Sequence, residues 1–355
     1  MSQHETAPFA PRPRSVVLFG HGTVGGGVYE WLARRPDRFE VRRVIVRDRL
    51  KHAALGVPAA LLSTNPWDAV NLPSDLVIEV AGGLEPAADV IAAALVQGKR
   101  VVSANKAAIA ARWDEFVPFL GLDASPAQLR IGAAVGGAVP MIEAACRYRG
   151  HILELRGIVN GTCNYVLDRI ESGATFEAAV REAQSAGFAE ADPTADLDGS
   201  DSANKLLILA RTAVPEGRAP ARFRQRGIER ITAEAVEAAG KRGRRLRLVA
   251  RASFDVGETR CAVSPVELDA DDWLAGARAE ENRLELTLVD GQRVRLKGPG
   301  AGRWPTTRAV MRDVHAVERR AAPLNRTGIS RALSPSVPGT SRRRSSPRPS
   351  PASPC

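Results

Sequence analysis

Five carboxylates fall within twelve residues of this 355-residue chain, at Glu190, Asp192, Asp196, Asp198 and Asp201, and Lys205 follows four positions after the last. Folding so many like charges into one segment, broken by Pro193 and Gly199, is costly unless a cation offsets them. Lys205 or the amino group of a bound molecule would supply that charge, so the segment suits recognition of an amino acid. Asp201 and Lys205 stand at i and i+4 on a helix expected from about Asp201 to Arg211, which places both side chains on one face. Alone, such a pair is a surface ion pair of about 0.2–0.5 kcal/mol. The acids around it shift the reading toward a site.

A second chemical pattern lies near the N-terminus. The apolar run Ser15 to Phe19 leads into Gly20-His21-Gly22-Thr23-Val24-Gly25, after which Val28, Trp31 and Leu32 recur at helical spacing. Strand, glycine turn and helix in that order suit a dinucleotide. Gly20 permits the tight bend, Gly22 lets a pyrophosphate approach the backbone, and Gly25 lets helix pack on strand. A second strand, Phe39 to Val46, ends in Arg47-Asp48, with Arg49 and Lys51 close by. A lone acid there would accept the ribose hydroxyls of NAD, whereas the Arg47 guanidinium suits a 2′-phosphate. NADP is therefore the expected cofactor, with NAD or dual use as the alternative.

The elements that must position these residues follow from periodicity. Strands at Leu76 to Val80 and Arg100 to Ser103 alternate with helices at Ala87 to Gln97 and Ala107 to Arg112. That alternation predicts an α/β fold whose first part is a Rossmann-type doubly wound parallel sheet. Beyond it the pattern changes: a strand at His151 to Val159, helices at Tyr165 to Glu171, Phe176 to Ala186 and Glu229 to Ala239, and strands at Leu246 to Ser253, Thr259 to Val263 and Arg283 to Val289. These predict a second, α+β domain with mixed or antiparallel pairing, for substrate binding. The glycine-rich Gly298-Pro299-Gly300-Ala301-Gly302 precedes a last helix at Thr306 to Val317. The expected organisation is an arm at 1–14, a nucleotide domain at 15–147, a substrate domain at 148–298, a returning segment at 299–322 and a disordered basic tail at 323–355.

Composition narrows the function classes. The net charge of +10 invites a nucleic-acid partner, but six arginines and no acids lie from Pro323 onward, leaving +4 for the rest. No nucleic-acid partner is expected. The longest apolar stretches, such as Val90 to Val96, fall far short of the roughly 20 residues that cross a bilayer, so no membrane segment is expected. Cys146, Cys163, Cys261 and Cys355 show neither zinc spacing nor a disulfide framework, which suits a reducing cytosol.

Ala183, Gly187, Phe188, Ala189, Asp192, Pro193, Asp196, Leu197, Gly199, Asp201 and Lys205 together carry a resemblance: the segment matches the homoserine dehydrogenase signature at every defined position. Asn160-Gly161-Thr162-Cys163-Asn164-Tyr165, Ser103-Ala104-Asn105-Lys106 and the glycine-rich stretch with Thr306 extend it over about Ser15 to Ala321. The resemblance implies interconversion of aspartate 4-semialdehyde and homoserine by a homodimer built through the sheet of the second domain, which is then a substrate and dimerisation domain. Lys205 is then the proton donor and acceptor for the substrate oxygen, and Asp201 orients it. Glu190 and Asp196 bind the substrate's amino group, Thr162 touches the substrate, and Lys106 lies near substrate and nicotinamide. Cofactor contacts are implied at Gly20, Gly22, Thr23, Val24, Gly25, Arg47, Ser103, Lys106, Gly300 and Gly302. Hydride reduction of an aldehyde leaves an alkoxide, and a nearby ammonium both stabilises it and donates the proton.

Two positions depart from the family. Gly132 stands where the family has a glutamate that, with backbone carbonyls, binds a monovalent cation. The carbonyls of Val135, Gly137 and Val139 are expected to hold sodium or potassium weakly. Cys163 replaces a frequent threonine and reads as a small buried residue. No regulatory domain of the kind some members carry follows, so feedback through one is not expected. Two rival readings remain: a dehydrogenase that phosphorylates its aldehyde through a nucleophilic cysteine and a histidine base, and a weakened homologue acting as a sensor or binding protein.

Overall fold

The computed structural model describes residues 12–319 apart from 123–124, 216–219 and 256–257. The expectations for residues 1–11 and for the basic tail lie outside the described residues. Six strands form the first sheet: β1 (Arg14–Phe19), β2 (Phe39–Ile45), β3 (Leu62–Ser63), β4 (Leu76–Glu79), β5 (Arg100–Ser103) and β6 (Leu129–Arg130). Their order is β3-β2-β1-β4-β5-β6 and every pairing is parallel. This is the strand order of a doubly wound dinucleotide sheet, with its switch point between β1 and β4. Its strands are apolar runs because helices cover both faces: Val16, Val17, Leu18, Val77 and Ile78 are all fully buried. The intervening helices are α1 (Thr23–Ala33), α2 (Arg49–Ala54), α3 (Asp68–Asn71), α4 (Ala87–Val96), α5 (Lys106–Ala111) and α6 (Trp113–Phe116).

The second sheet contains β7 (Ile152–Ile158), β8 (Arg222–Gln225), β9 (Arg244–Asp255), β10 (Glu258–Asp269), β11 (Glu281–Leu288) and β12 (Arg293–Pro299), in the order β12-β11-β7-β9-β10-β8. All pairings are antiparallel except β10 with β8. The two strands that periodicity does not predict, β8 and β12, are the edges. Arg222, Arg224, Arg293 and Arg295 occupy them, and charged side chains on an edge blunt pairing with another chain while hiding the apolar signal of a strand. Helices α7 (Met141–Arg147), α8 (Gly161–Glu171), α9 (Phe176–Ser185), α10 (Thr194–Leu197), α11 (Ser200–Ala213) and α12 (Ala233–Lys241) accompany this sheet. Helix α8 starts four residues before the predicted Tyr165 because the Asn160 side chain accepts from Cys163 N and caps it. Helix α12 starts four residues late, where the Thr232 hydroxyl accepts from Ala235 N.

The last helix, α13 (Arg303–Arg319), returns to the first sheet. There Ala309, Val310 and Val314 join Val28 and Leu32 of α1 and Val16 and Leu18 of β1 in one buried cluster. Contact between α1 and α13 is close: a Cβ at Gly27 would lie 2.3 Å from the Thr307 hydroxyl. Among the described residues no helix is long and apolar enough to cross a membrane.

Asp313 ties α13 to the loop after β6 by accepting from Ala133 N at 3.0 Å. Burial, reinforced by Glu143, pushes its carboxyl up to about 7. A carboxyl whose folded value is raised binds its proton better in the native state. Its contribution to stability is therefore largest at low pH and is lost between the usual carboxylate range and about pH 7. Thermal unfolding at about pH 5 and about pH 8 is expected to show a smaller loss of stability in Asp313→Asn than in the parent over that interval.

Candidate active site

Helix α11 begins after Gly199, whose φ of +83° turns the chain out of the acidic segment, and Asp201 occupies its first turn. The negative charge there complements the helix dipole. One turn on, Lys205 Nζ lies 2.6 Å from Asp201 Oδ2 and donates to Val159 O at 2.8 Å. From the other sheet's helices comes Lys106, the first residue of α5, whose Nζ lies 2.8 Å from Asp201 Oδ1. One carboxylate thus bridges two ammonium groups, one on each oxygen. Asp201 is only 5% exposed, and burial alone would raise its carboxyl; Lys205 and Lys106 outweigh burial and draw it down to about 2. Burial likewise works against the Lys106 ammonium, but Asp201, Asp196 and Glu190 hold it above the usual lysine range.

The five acids of the segment divide by role. Asp192 accepts from the Thr194 amide and hydroxyl, and Asp198 accepts from Ser200 N, so both shape turns. Asp196, raised by burial and by Asp201, accepts from Asn160 Nδ2 at 2.7 Å. The same amide donates to Asp201 Oδ2 at 2.9 Å, holding the two carboxylates in one cluster. Glu190 is exposed, near enough to act on Lys106 electrostatically. Thr162 donates to Phe188 O at 2.7 Å, fixing α8 to the start of the acidic segment. Asn160 carries no role in the sequence reading. Its signal was its place as the cap of α8, which frees both amide hydrogens for acids.

Lys106 is positioned by a buried acid that sequence reasoning also missed. Glu79, at the end of β4, accepts from Ser103 Oγ at 2.6 Å and from Asn105 Nδ2 at 3.3 Å. Asn105 in turn caps α5 through Ala108 N. Burial holds the Glu79 carboxyl above its usual range. Ser103 is thus fully buried and committed to Glu79.

Across the ends of β1, β2 and β4 opens a cavity of 1280 Å³ lined by Gly20, Gly22, Thr23, Arg47, Val80 and Ala81, among others. Three observations fit it to a dinucleotide. Gly22, the residue capping α1, has no side-chain hydrogen bond to the helix amides and has nothing within 4 Å of where a Cβ would stand. A Cβ at Gly20 would lie 2.5 Å from Ala81 N, and one at Gly25 would lie 2.2 Å from Gly20 O, so only glycine admits this turn. Gly25 and Val24 lie behind the turn, packed into the helix. Gly300 and Gly302 do not line the cavity; Gly300 packs against Asn282 and Gly137, and Gly302 bends the chain at φ +106° into α13, whose Arg303 does line it.

The carbonyls expected to hold a cation fare differently. Val139 O accepts from Met141 N at 2.8 Å, and the Arg312 guanidinium donates to Ala138 O at 3.3 Å, between Gly137 and Val139. Beside Gly132 stand Glu143 and Asp313, whose oxygens lie 2.8 to 3.1 Å from where a Cβ at that glycine would stand, with Glu143 paired to Arg312 at 2.6 Å. Arg312 thus engages both Ala138 O and the Glu143 carboxylate beside the segment whose carbonyls are expected to take a cation. The described cysteines do not suit nucleophilic catalysis. Burial pushes Cys261 to about 12 and Cys163 well above the usual thiol range, Cys163 Sγ donates to Asp196 O, and the exposed Cys146 has the acids Glu143 and Asp313 among its charged neighbours, which disfavour a thiolate.

A dinucleotide sheet whose switch point adjoins a two-lysine carboxylate bridge is the arrangement of a nicotinamide-dependent oxidoreductase. Residues 20–118 match the family described as homoserine dehydrogenase, NAD binding domain, and residues 140–315 that described as homoserine dehydrogenase. Among curated proteins, the homoserine dehydrogenase of Corynebacterium glutamicum is 35% identical over 321 residues, covering 86% of this chain and 72% of that one. That of Bacillus subtilis is 32% identical over 317 residues, covering 85% and 72%. The crystal structure of a homoserine dehydrogenase from Thiobacillus denitrificans superposes with a TM-score of 0.77 at 35% identity, covering 86% of this chain and 73% of that one. A putative homoserine dehydrogenase from Archaeoglobus fulgidus gives 0.74 at 29% identity, covering 87% and all of its own chain. The chain belongs to the homoserine dehydrogenase family.

Removing the Asn160 side chain takes away both the amide shared by the two acids and the cap of α8. Asn160→Ala is expected to lower kcat/KM by roughly 10- to 100-fold, the equivalent of one hydrogen bond to a charged group, when NADPH oxidation is followed by absorbance.

Proposed function

We propose that this chain interconverts L-aspartate 4-semialdehyde and L-homoserine in the cytosol, using NADP in preference to NAD, as part of the supply of homoserine for threonine, methionine and isoleucine. The observation that carries the reading is Asp201 bridging Lys106 and Lys205 at 2.8 and 2.6 Å. The bound cofactor supplies or accepts the hydride. Lys205 donates a proton to the oxygen of the reduced substrate, and takes it back in the reverse direction. Asp201 holds Lys205 in place and keeps two ammonium groups together where an alkoxide develops. Asp196 and Glu190 receive the substrate's amino group, with Asn160 limiting the repulsion of Asp196 and Asp201. Thr162 keeps the Phe188 end of that segment closed on α8.

Preference for NADP is supported by Arg47, which lines the cavity just beyond β2 and makes no ion pair among the described residues. The helix amides beyond Gly22, with Thr23 beside them, are offered to the pyrophosphate. The family resemblance supports a homodimer built through the second sheet. A weak cation response follows from the neutral oxygens of Val135, Gly137 and Val139.

Absorbance assays with aspartate 4-semialdehyde and NADPH are expected to show turnover that falls by roughly 10²- to 10⁴-fold in Lys205→Ala, the usual worth of a positioned acid. Loss of less than this would remove Lys205 from proton transfer. Arg47→Ser is expected to raise KM for NADPH by about tenfold or more, the worth of a charge-assisted pair, with KM for NADH little changed. Replacing sodium and potassium by a bulky organic cation is expected to alter kcat/KM by less than about twofold, since hard cations hold weakly to uncharged ligands.

A further inference from the structure

His21, inside the glycine turn, and His52, on α2, approach with their Nδ1 atoms 3.0 Å apart. Their ring planes cross at 88°, with centroids 5.0 Å apart, so the contact is an N–H to N hydrogen bond and not a stack. Both rings line the cofactor cavity together with Arg47 and Lys51. One ring must donate from Nδ1 and the other accept. Two neutral rings satisfy this, and so does one imidazolium beside one neutral ring. Two imidazolium rings do not, because each would aim an N–H at the other. The pair can therefore take up one proton and no more.

The charges around the pair decide whether it does so. Arg303 approaches His21 from α13, Arg47 and Lys51 from the β2 and α2 side, and neither of the latter two makes an ion pair among the described residues. The nearby acids are already engaged: Glu30 holds Arg34 and Arg303, and Asp48 caps α2 by accepting from Lys51 N. On the opposite wall Glu85 faces Arg112 at 3.7 Å, and Tyr29 meets the His21 ring edge-on. Burial, His52 and Arg303 together keep His21 below the usual histidine range. A phosphate dianion among these groups reverses the sign of the local field and favours the protonated pair.

Position selects the ligand. The glycine turn faces the pyrophosphate of a bound dinucleotide and the end of β2 faces the adenosine ribose, so a contact between residue 21 and the helix after β2 lies between the two. We propose that the His21–His52 pair completes a 2′-phosphate site and takes up one proton when NADPH binds, making the preference for NADPH over NADH depend on pH. This rests on the reading of Arg47 as a 2′-phosphate ligand. A phosphomonoester loses its second proton near pH 6, so above about pH 7 the histidine pair is the group at this site whose protonation changes. NADPH affinity then falls as pH rises, until the complex also gives up the proton. NADH lacks the phosphate and shows no matching change.

Calorimetric titration of the full chain with NADPH and with NADH, between about pH 6.5 and 8 in buffers of differing ionisation heat, tests this. The expected result is net proton uptake with NADPH above that with NADH, and a Kd ratio in favour of NADPH that shrinks about three- to tenfold across the range, within the limit of one proton. His52→Gln is expected to remove both the uptake and the pH dependence while a preference for NADPH persists. A preference that is the same at every pH, with no uptake in the parent protein, would overturn the histidine proposal and leave Arg47 as the specificity residue. Equal affinity for the two cofactors throughout would overturn both.

Discussion

A single buried carboxylate organises this molecule. Asp201 is too deeply placed to keep its charge without compensation, and it obtains two positive partners from different parts of the chain. Lys205 comes from its own helix, while Lys106 comes from the helix after β5 of the other sheet. Losing one partner would leave a buried charge half answered, which is far more costly than an exposed pair. The contact that joins the two halves of the chain at this point is thus also the one on which the proposed chemistry depends.

Much of the parallel sheet was legible because its strands are continuous apolar runs between glycine turns, and β5 was located to the residue. Its order follows from the right-handed crossovers that such alternation requires. The second sheet was legible where Leu246, Leu248, Ala250 and Ala252 alternate, and illegible at β8 and β12. On those edges arginines alternate with only one or two apolar residues, Phe223 in β8 and Val294 and Leu296 in β12, which are too few to stand out from charged loops.

The site divides in the same way. Asp201 and Lys205 share one helix face, so spacing brought them together in the sequence. Lys106 entered only through a family resemblance, since 95 positions separate it from Asp201 and no periodicity spans that distance. Glu79 escaped notice because a glutamate closing an apolar strand looks the same whether it faces water or is entirely buried. Gly132 was read as a ligand lost. Space near it is instead taken by Glu143 and Asp313, two carboxylates from other helices that no local pattern connects.

The return of α13 to α1 has a consequence for how the chain is made. The nucleotide sheet emerges from the ribosome early, with α1 packed on it but lacking the neighbour that α13 will supply. Val28 and Leu32 are covered only by the sheet, through Val16 and Leu18, until the whole of the second sheet has been synthesised and Ala309, Val310 and Val314 arrive. Contacts so distant in sequence form slowly. The cofactor half is therefore begun first and finished last, and a nascent chain interrupted after the second sheet carries an open apolar surface of the kind that chaperones hold.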